Sequence, residues 1–302
     1  MALTGSTVDL SPEEEREVGE RTAPRAAVVF ETVRREGETE LRRPIFSLAL
    51  SGLAGGLSMG ASLAGEGLIR SMLPDAAWRP LAVSVGYTLG FLIVVLGRQQ
   101  LFTESTITAI LPLLDDRNKL RKLLQVLRLW SVVLAANIAG AAAFAFAAAH
   151  TSIFSADVRA TFETIAREAV APGFGSILLR GIASGWLIAL MVWLLPASQG
   201  GARPAIVAMI TYLIAACGFP HVVAGSVEAL YAVFRGDATF AAALTTFYVP
   251  TLLGNVAGGI LLVSLLSFGQ VSGRIRGEGE RNATSSPKRT PKPHRSPAVE
   301  RG

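Results

Sequence analysis

The sequence predicts an all-α membrane protein: six transmembrane helices forming a 3+3 inverted repeat, with the second and fifth helices broken. Three observations carry that expectation. Of the 302 residues, 51% are apolar and only 17% are charged, against roughly 25% charged in a typical soluble domain, and the mean hydropathy is +0.45. The charges are also clustered: most lie before Pro44, between Asp115 and Arg128, between Asp157 and Arg180, and after Arg274. The long apolar stretches between them exclude an ordinary soluble enzyme and a disordered chain. Finally, polar or helix-breaking residues interrupt the second and the fifth of those stretches.

The elements follow in order. Ser11-Pro12-Glu13-Glu14 reads as a helix start, with Ser as N-cap, Pro at the first position and acids in the first turn. From Pro24 to Arg43, Ala26, Val29, Val33 and Leu41 are set among charges. That pattern suits an amphipathic helix on the membrane surface or a solvated leader helix. No signal peptide is expected, because the first 43 residues are polar. The spans run from about Pro44 to Ile69, Pro80 to Leu114, Leu123 to Ala149, Gly173 to Leu195, Pro204 to Phe234 and Phe240 to Phe268. A straight helix crosses a bilayer in about 20 residues, so the second and fifth are too long. Their centres hold Arg98-Gln99-Gln100-Leu101-Phe102-Thr103-Glu104 and Cys217-Gly218-Phe219-Pro220-His221. A broken backbone survives at membrane depth only inside protein or beside water.

Each break falls in the second span of a three-span half, which is the signature of an inverted repeat whose breaks meet near the midplane. Two unrelated kinks are the competing account. A polar helix is expected from Ser155 to Val170 on the outer surface. The connection between spans two and three carries Arg117, Lys119, Arg121, Lys122 and Arg128. Arg42, Arg43, Arg274 and Arg276 flank the bundle on the same side, so both termini are expected in the cytoplasm. The chain thus divides into residues 1–43, a cytoplasmic N-terminal segment; 44–270, the transmembrane domain; and 271–302, a disordered basic cytoplasmic tail. The net charge of +5 sits mainly in the tails, so it reads as an orientation signal beside the bilayer rather than nucleic-acid binding.

Several residues stand out as a permeation site. His221 is the single histidine at membrane depth, placed at a helix break where polar groups mark a pathway. A neutral imidazole donates one hydrogen bond and accepts another, so it can share or give a proton to a weak-acid anion. The neutral acid then avoids the several-kcal/mol cost of a bare charge in hydrocarbon. Thr103 lies in the opposite break, where its hydroxyl can bond the imidazole or cap a half-helix starting near Ser105. Leu101, Phe102, Tyr87 and Phe91 are candidates for an apolar constriction on one side, and Ile214 for the other; core packing is the alternative. Gly218 and Pro220 shape the second break. Asn255 is a candidate to bond across helices or cap a carbonyl. Gly52, Gly56 and Gly60, and Gly254 with Gly258, read as close-packing positions. Glu66, Arg128 and Arg180 read as residues near span ends that snorkel or pair at the interface.

Gln100-Leu101-Phe102-Thr103-Glu104-Ser105-Thr106, Gly218-Phe219-Pro220-His221 and Gly254-Asn255-Val256-Ala257-Gly258-Gly259 occur in that order in spans two, five and six. With Ser51-Gly52-Leu53-Ala54-Gly55-Gly56 and Arg180-Gly181-Ile182-Ala183-Ser184-Gly185-Trp186-Leu187, they resemble the formate–nitrite transporter family over residues 40 to 270. The resemblance implies an aquaporin-like six-helix channel protomer, a homopentamer with one pore per protomer, and small monovalent anions or their acids as substrates. In the family the Thr and His matching Thr103 and His221 face each other across the pore. The chain departs from the family at Glu104, Gly185 and Gly225, and at a vestibule lysine for which Arg167 or Arg180 would substitute. Arg98 is a candidate partner for Glu104, and Glu228 shares the face of His221.

Two rival readings remain: a channel of the same fold for a neutral or cationic solute that uses Glu104 and Glu228, and a non-transporting membrane scaffold. An enzyme is not expected. The sequence shows no nucleophile–base pair, no metal-ligand spacing, no phosphate loop and no cofactor motif.

Overall fold

The computed structural model describes residues 10–22, 24–263 and 265–266; the expected basic tail at 271–302 lies outside them. The description concerns the compact unit that ends at Ser264. Helix α1 (Pro12–Arg21) starts with a capping box: Ser11 Oγ accepts from the Glu14 N–H and Glu14 Oε2 accepts from the Ser11 N–H. In α2 (Ala26–Arg42), Val29, Val33, Gly37 and Leu41 are buried, one every four residues along a single face. That face packs on protein, against α5, α6, α7 and α9 defined below, rather than lying free on a membrane or in solvent as the sequence suggested. Gly37 meets the carbonyl of Thr108, where no Cβ would fit.

Among the described residues, five helices are long and apolar enough to cross a bilayer. They are α3 (Ile45–Met72), α4 (Arg79–Leu96), α7 (Lys119–His150), α9 (Phe174–Leu194, extended by a tight turn to Ala197) and α12 (Phe240–Val263, with a π-helical turn at Leu244–Tyr248). The expected second span is divided: α4, then a non-helical stretch, then α5 (Phe102–Thr108) and α6 (Ile110–Asp115). The expected fifth is likewise divided into α10 (Ala202–Ala216), apolar but shorter than a span, and α11 (Ala224–Arg235). Between α7 and α9, helix α8 (Ala156–Val170) buries Val158, Phe162, Ile165 and Ala166.

Small residues set the packing. α3 lies along α7 and α4; Gly56 touches the Asn137 backbone, and Gly140 that of Leu53 and Leu57. Gly185 touches the Asn255 backbone and Gly258 that of Ile182 and Trp186. Such contacts let helix backbones approach where lipid gives no hydrophobic drive. Large apolar side chains, among them Phe46, Leu50, Leu57, Leu179 and Leu253, are exposed on the outside of these helices. Such a surface is suited to lipid or to neighbouring subunits.

Candidate permeation site

The two interruptions are built alike. After α4, the N–H groups of Gly97, Arg98 and Gln99 donate to Ile93, Val95 and Val94. After α10, those of Cys217, Gly218 and Phe219 donate to Leu213, Ala215 and Ile214, in the same pattern. Arg98 (φ 53°) and Gly218 (φ 62°) take the left-handed conformation that reverses a helix end. Each chain then re-enters a helix under an asparagine from a distant element. Asn137 of α7 accepts from Phe102 N–H at 2.9 Å and donates to the Gly52 and Gln100 carbonyls at 2.7 and 2.9 Å. Asn255 of α12 accepts from Val222 N–H at 2.9 Å and donates to the Gly181 and Pro220 carbonyls at 2.9 and 3.1 Å. Both are fully buried. These bonds hold open backbone that lipid could not satisfy.

Asn255 stood out in the sequence; Asn137 did not. The signal was present: Asn137-Ile138-Ala139-Gly140 repeats as Asn255-Val256-Ala257-Gly258, and Gly52-Leu53-Ala54-Gly55-Gly56 as Gly181-Ile182-Ala183-Ser184-Gly185.

Between the breaks, Thr103 Oγ1 and His221 Nε2 lie 2.6 Å apart, both buried. The tautomer follows from the other ring nitrogen. His221 Nδ1 accepts from the Ala224 N–H at 3.1 Å, so a neutral ring carries its proton on Nε2 and donates it to Thr103. The threonine hydroxyl hydrogen is left to donate elsewhere. Phe91 meets the imidazole edge-on with ring centres 4.9 Å apart, and Tyr87 lies 5.2 Å beyond it. Helix α5 begins at Phe102, not near Ser105, and its start is held by Asn137 rather than by Thr103.

Two cavities flank this pair. One, about 240 Å³, is lined by Tyr87, Gly218, Phe219, Pro220, His221 and Glu228, with Glu66, Glu168 and Arg180. The other, about 810 Å³, is lined by α2 residues, by Val95, Arg98, Gln99, Gln100, Leu101 and Glu104, and by Arg203. Ile177 and Arg180 place the first near the start of α9, and Val192 places the second near its end. Roughly 20 Å of helix thus separates the cavities.

Tyr87 and Leu101, grouped as one constriction in the sequence, therefore line different cavities. A single residue order along the chain does not show which side of a break a side chain faces. Phe91, Phe102 and Ile214 line neither. The Phe102 ring packs edge-on against Trp130 at 5.9 Å, and Ile214 is fully buried with its carbonyl bonded to Phe219 N–H. Arg98 pairs with Glu36 at 3.5 Å; it shares a cavity with Glu104 but makes no ion pair with it among the described residues. Glu104 Oε1 is buried without a hydrogen-bond partner. Glu66 and Arg180, which the sequence read as residues near span ends, line the His221 cavity; Phe219 and Gln99 were named only as parts of the break motifs, and Arg203 was not singled out.

Outside the spans, ion pairs tie α2 to the body. Lys122, only 6% exposed, reaches Glu38 at 3.0 Å and Asp116 at 3.3 Å. Hydrogen bonds from Arg34 and then Arg35 hold the Glu31 carboxyl down to about 2. The Asn118 N–H, followed by Lys122, lowers Asp116. Among the described residues, no group of three or more His, Cys, Asp or Glu is placed to hold a metal ion.

Comparison with known proteins identifies the architecture. The family model described as Formate/nitrite transporter matches residues 27–269. The inner membrane protein YfdC of Escherichia coli (strain K12) is 39% identical over 252 residues, covering 83% of this chain and 81% of that protein. A probable formate transporter of Methanothermobacter thermautotrophicus is 27% identical over 202 residues, 60% of this chain and 71% of that one. Solved channel structures share the fold. An FNT family ion channel has a TM-score of 0.70 at 17% identity, over 82% of this chain and 99% of that one. A pentameric formate channel with formate bound has a TM-score of 0.65 at 18% identity, over 74% and 96%. By this likeness the chain is a multi-pass membrane transporter and not an enzyme: it belongs to the formate/nitrite transporter family.

Proposed function

We propose that the chain is a channel for small monovalent weak-acid anions, formate or nitrite or similar, which cross its centre as neutral acids. The observation that carries this reading is the buried Thr103–His221 hydrogen bond between two cavities. The spans form a 3+3 inverted repeat, with α4/α5 and α10/α11 as the broken second and fifth helices. Support comes from the matched turn bonds and the matched asparagine clamps. An anion in either cavity faces apolar packing around Phe91 and Leu101, which rejects a hydrated charge. The Thr103–His221 pair orients the acid, and the free threonine hydroxyl hydrogen meets its oxygen.

The same reading makes the protein a homopentamer of the plasma or inner membrane, supported by the pentameric channel that shares its fold. Both termini face the cytoplasm, supported by the basic connection between α6 and α7. Residues 1–43 then form the cytoplasmic segment, 44–270 the channel and 271–302 the basic tail. The α8-side cavity opens outward.

Uptake of formate, nitrite, acetate, lactate, hydrosulfide and ammonium into proteoliposomes, across pH and beside His221→Ala, tests the reading. Anion uptake should rise as pH falls and lose its selectivity or rate in the variant. Passage of ammonium or another non-anionic solute with no anion uptake would overturn it. A second reading, a neutral or cationic solute, is favoured by the unpartnered Glu104 Oε1. Glu104→Gln separates the two: a cation pathway collapses and an anion pathway persists.

A further inference from the structure

We infer that Glu66 and Glu228 form a carboxyl pair that supplies the proton an entering weak-acid anion takes up before it reaches His221. The inference rests on the weak-acid reading and names the proton donor which that reading requires.

His221 is unsuited to be that donor. Its Nδ1 accepts the Ala224 N–H at 3.1 Å, and the one ring proton sits on Nε2, bonded to Thr103 Oγ1 at 2.6 Å. Surrendering that proton leaves an imidazolate. Adding a second at Nδ1 sets one N–H against another and strips the start of α11 of its acceptor. The imidazole orients an acid, and the net proton comes from another group.

The cavity holding His221 contains such groups. Its wall includes Glu66 from α3 and Glu228 from α11, facing Tyr87 of α4, Glu168 of α8 and Arg180 of α9. Glu66 Oε2 is buried and has no hydrogen-bond partner. Glu168 adds a third carboxyl to the same wall. Arg70 is already engaged: its two terminal nitrogens donate to the two Glu168 oxygens at 2.9 Å each. Arg180 is solvent-exposed and carries no ion pair among the described residues. Two carboxyl groups lining one cavity, with no ion pair to either among the described residues, are most cheaply held with at least one of them protonated.

The transfer balances without a further reagent. An oxygen of the anion takes the proton: the glutamic O–H bond breaks, its electron pair stays on the carboxylate, and an O–H bond forms on the permeant. The neutral acid moves on to Thr103 and His221. A proton from the solution on the entry side, relayed through the cavity, restores the pair, so one proton crosses with each anion.

The test is formate uptake by proteoliposomes of the full chain, corrected for empty vesicles, at about pH 7 and about pH 4.5. In Glu66→Gln/Glu228→Gln the rate at pH 7 should fall at least about tenfold. The deficit should shrink to under about threefold at the lower pH, where solution supplies formic acid. Glu66→Asp/Glu228→Asp keeps both carboxyl groups and should regain at least about half the wild-type rate at pH 7. A wild-type profile in the double carboxamide overturns the proposal, as does an equal deficit at both pH values in a variant that elutes as the wild-type assembly. Should the double variant fail to assemble, the two single carboxamides are judged by the same criteria. A wild-type chain that carries none of the anions overturns the weak-acid reading itself, and this proposal with it. A defect confined to the variants leaves that reading standing.

Discussion

At the first interruption the chain turns on Arg98 and at the second on Gly218, with φ of 53° and 62°. Each turn is followed by one residue after the clamped carbonyl, Leu101 after Gln100 and His221 after Pro220, and then by an N–H held by Asn137 or Asn255. The backbone device is shared, but the chemistry is not. The first break supplies an apolar side chain and, one step into α5, a hydroxyl; the second supplies an imidazole. The comparison teaches that one backbone device can carry different side chains: two breaks built alike present a hydroxyl from one side and an imidazole from the other, which meet in the Thr103–His221 hydrogen bond.

The comparison can be broken most forcefully at the clamps. Asn137→Ala and Asn255→Ala each remove three hydrogen bonds, two of them fully buried. Each should destabilise the protein by about 2–4 kcal/mol, and by similar amounts. Denaturant unfolding in detergent measures this, and a cost at one site alone would show that the halves are not equivalent. Next comes the difference between the halves. Thr103→Val leaves the Nε2–H of His221 without its acceptor and should cut anion uptake about tenfold, through a loss of about 1.4 kcal/mol. Unchanged flux would remove the hydroxyl from the mechanism.

A smaller effect tests the turns. Gly218→Ala meets no atom that blocks its Cβ, so its cost is conformational, about 1 kcal/mol. Arg98→Gly should instead stabilise by somewhat under that amount, since the Glu36 pair it gives up is exposed and worth little. Opposite signs in thermal unfolding would sharpen the comparison, and equal signs would break it. The smallest effect lies outside the bundle. Glu31 has a carboxyl lowered to about 2 in the folded chain from an ordinary 4.5. Its contribution is present above about pH 4.5 and lost as pH falls through about 2. Glu31→Gln should flatten the acid limb of stability slightly in that window, as read by unfolding midpoints from pH 6 to 2.

Much of the fold is legible because apolar length and charge placement act locally. The ends of α3, α7, α8 and α9 fall within a few residues of the expected ones, since a helix that meets lipid must stay apolar and end near charge. The breaks at Arg98 and Gly218 are legible because Gly, Pro and clustered polar residues interrupt an apolar run. Asn137 was passed over because a lone asparagine in an Ala-rich helix looks like any polar residue until its repeat of Asn255 is noticed. The cavity position of Glu66 and Arg180 was not legible, because distance from a helix end along the chain does not say whether a side chain also faces a cavity. α2 looked like a surface helix because its apolar stripe is blind to what covers it; packing against α5, α6, α7 and α9 settled that.

The sequence by itself determined a helical membrane chain, the two broken stretches and the residues at those breaks. Periodicity, hydropathy and backbone breakers are properties of neighbouring residues. Only the tertiary structure decided that Thr103 meets His221, which Nδ1 partner sets the tautomer, and that Glu66 and Glu228 share one cavity. The first and last of these join residues more than a hundred positions apart, on helices whose facing sides are chosen by packing; the tautomer follows from a local bond to Ala224, three residues on.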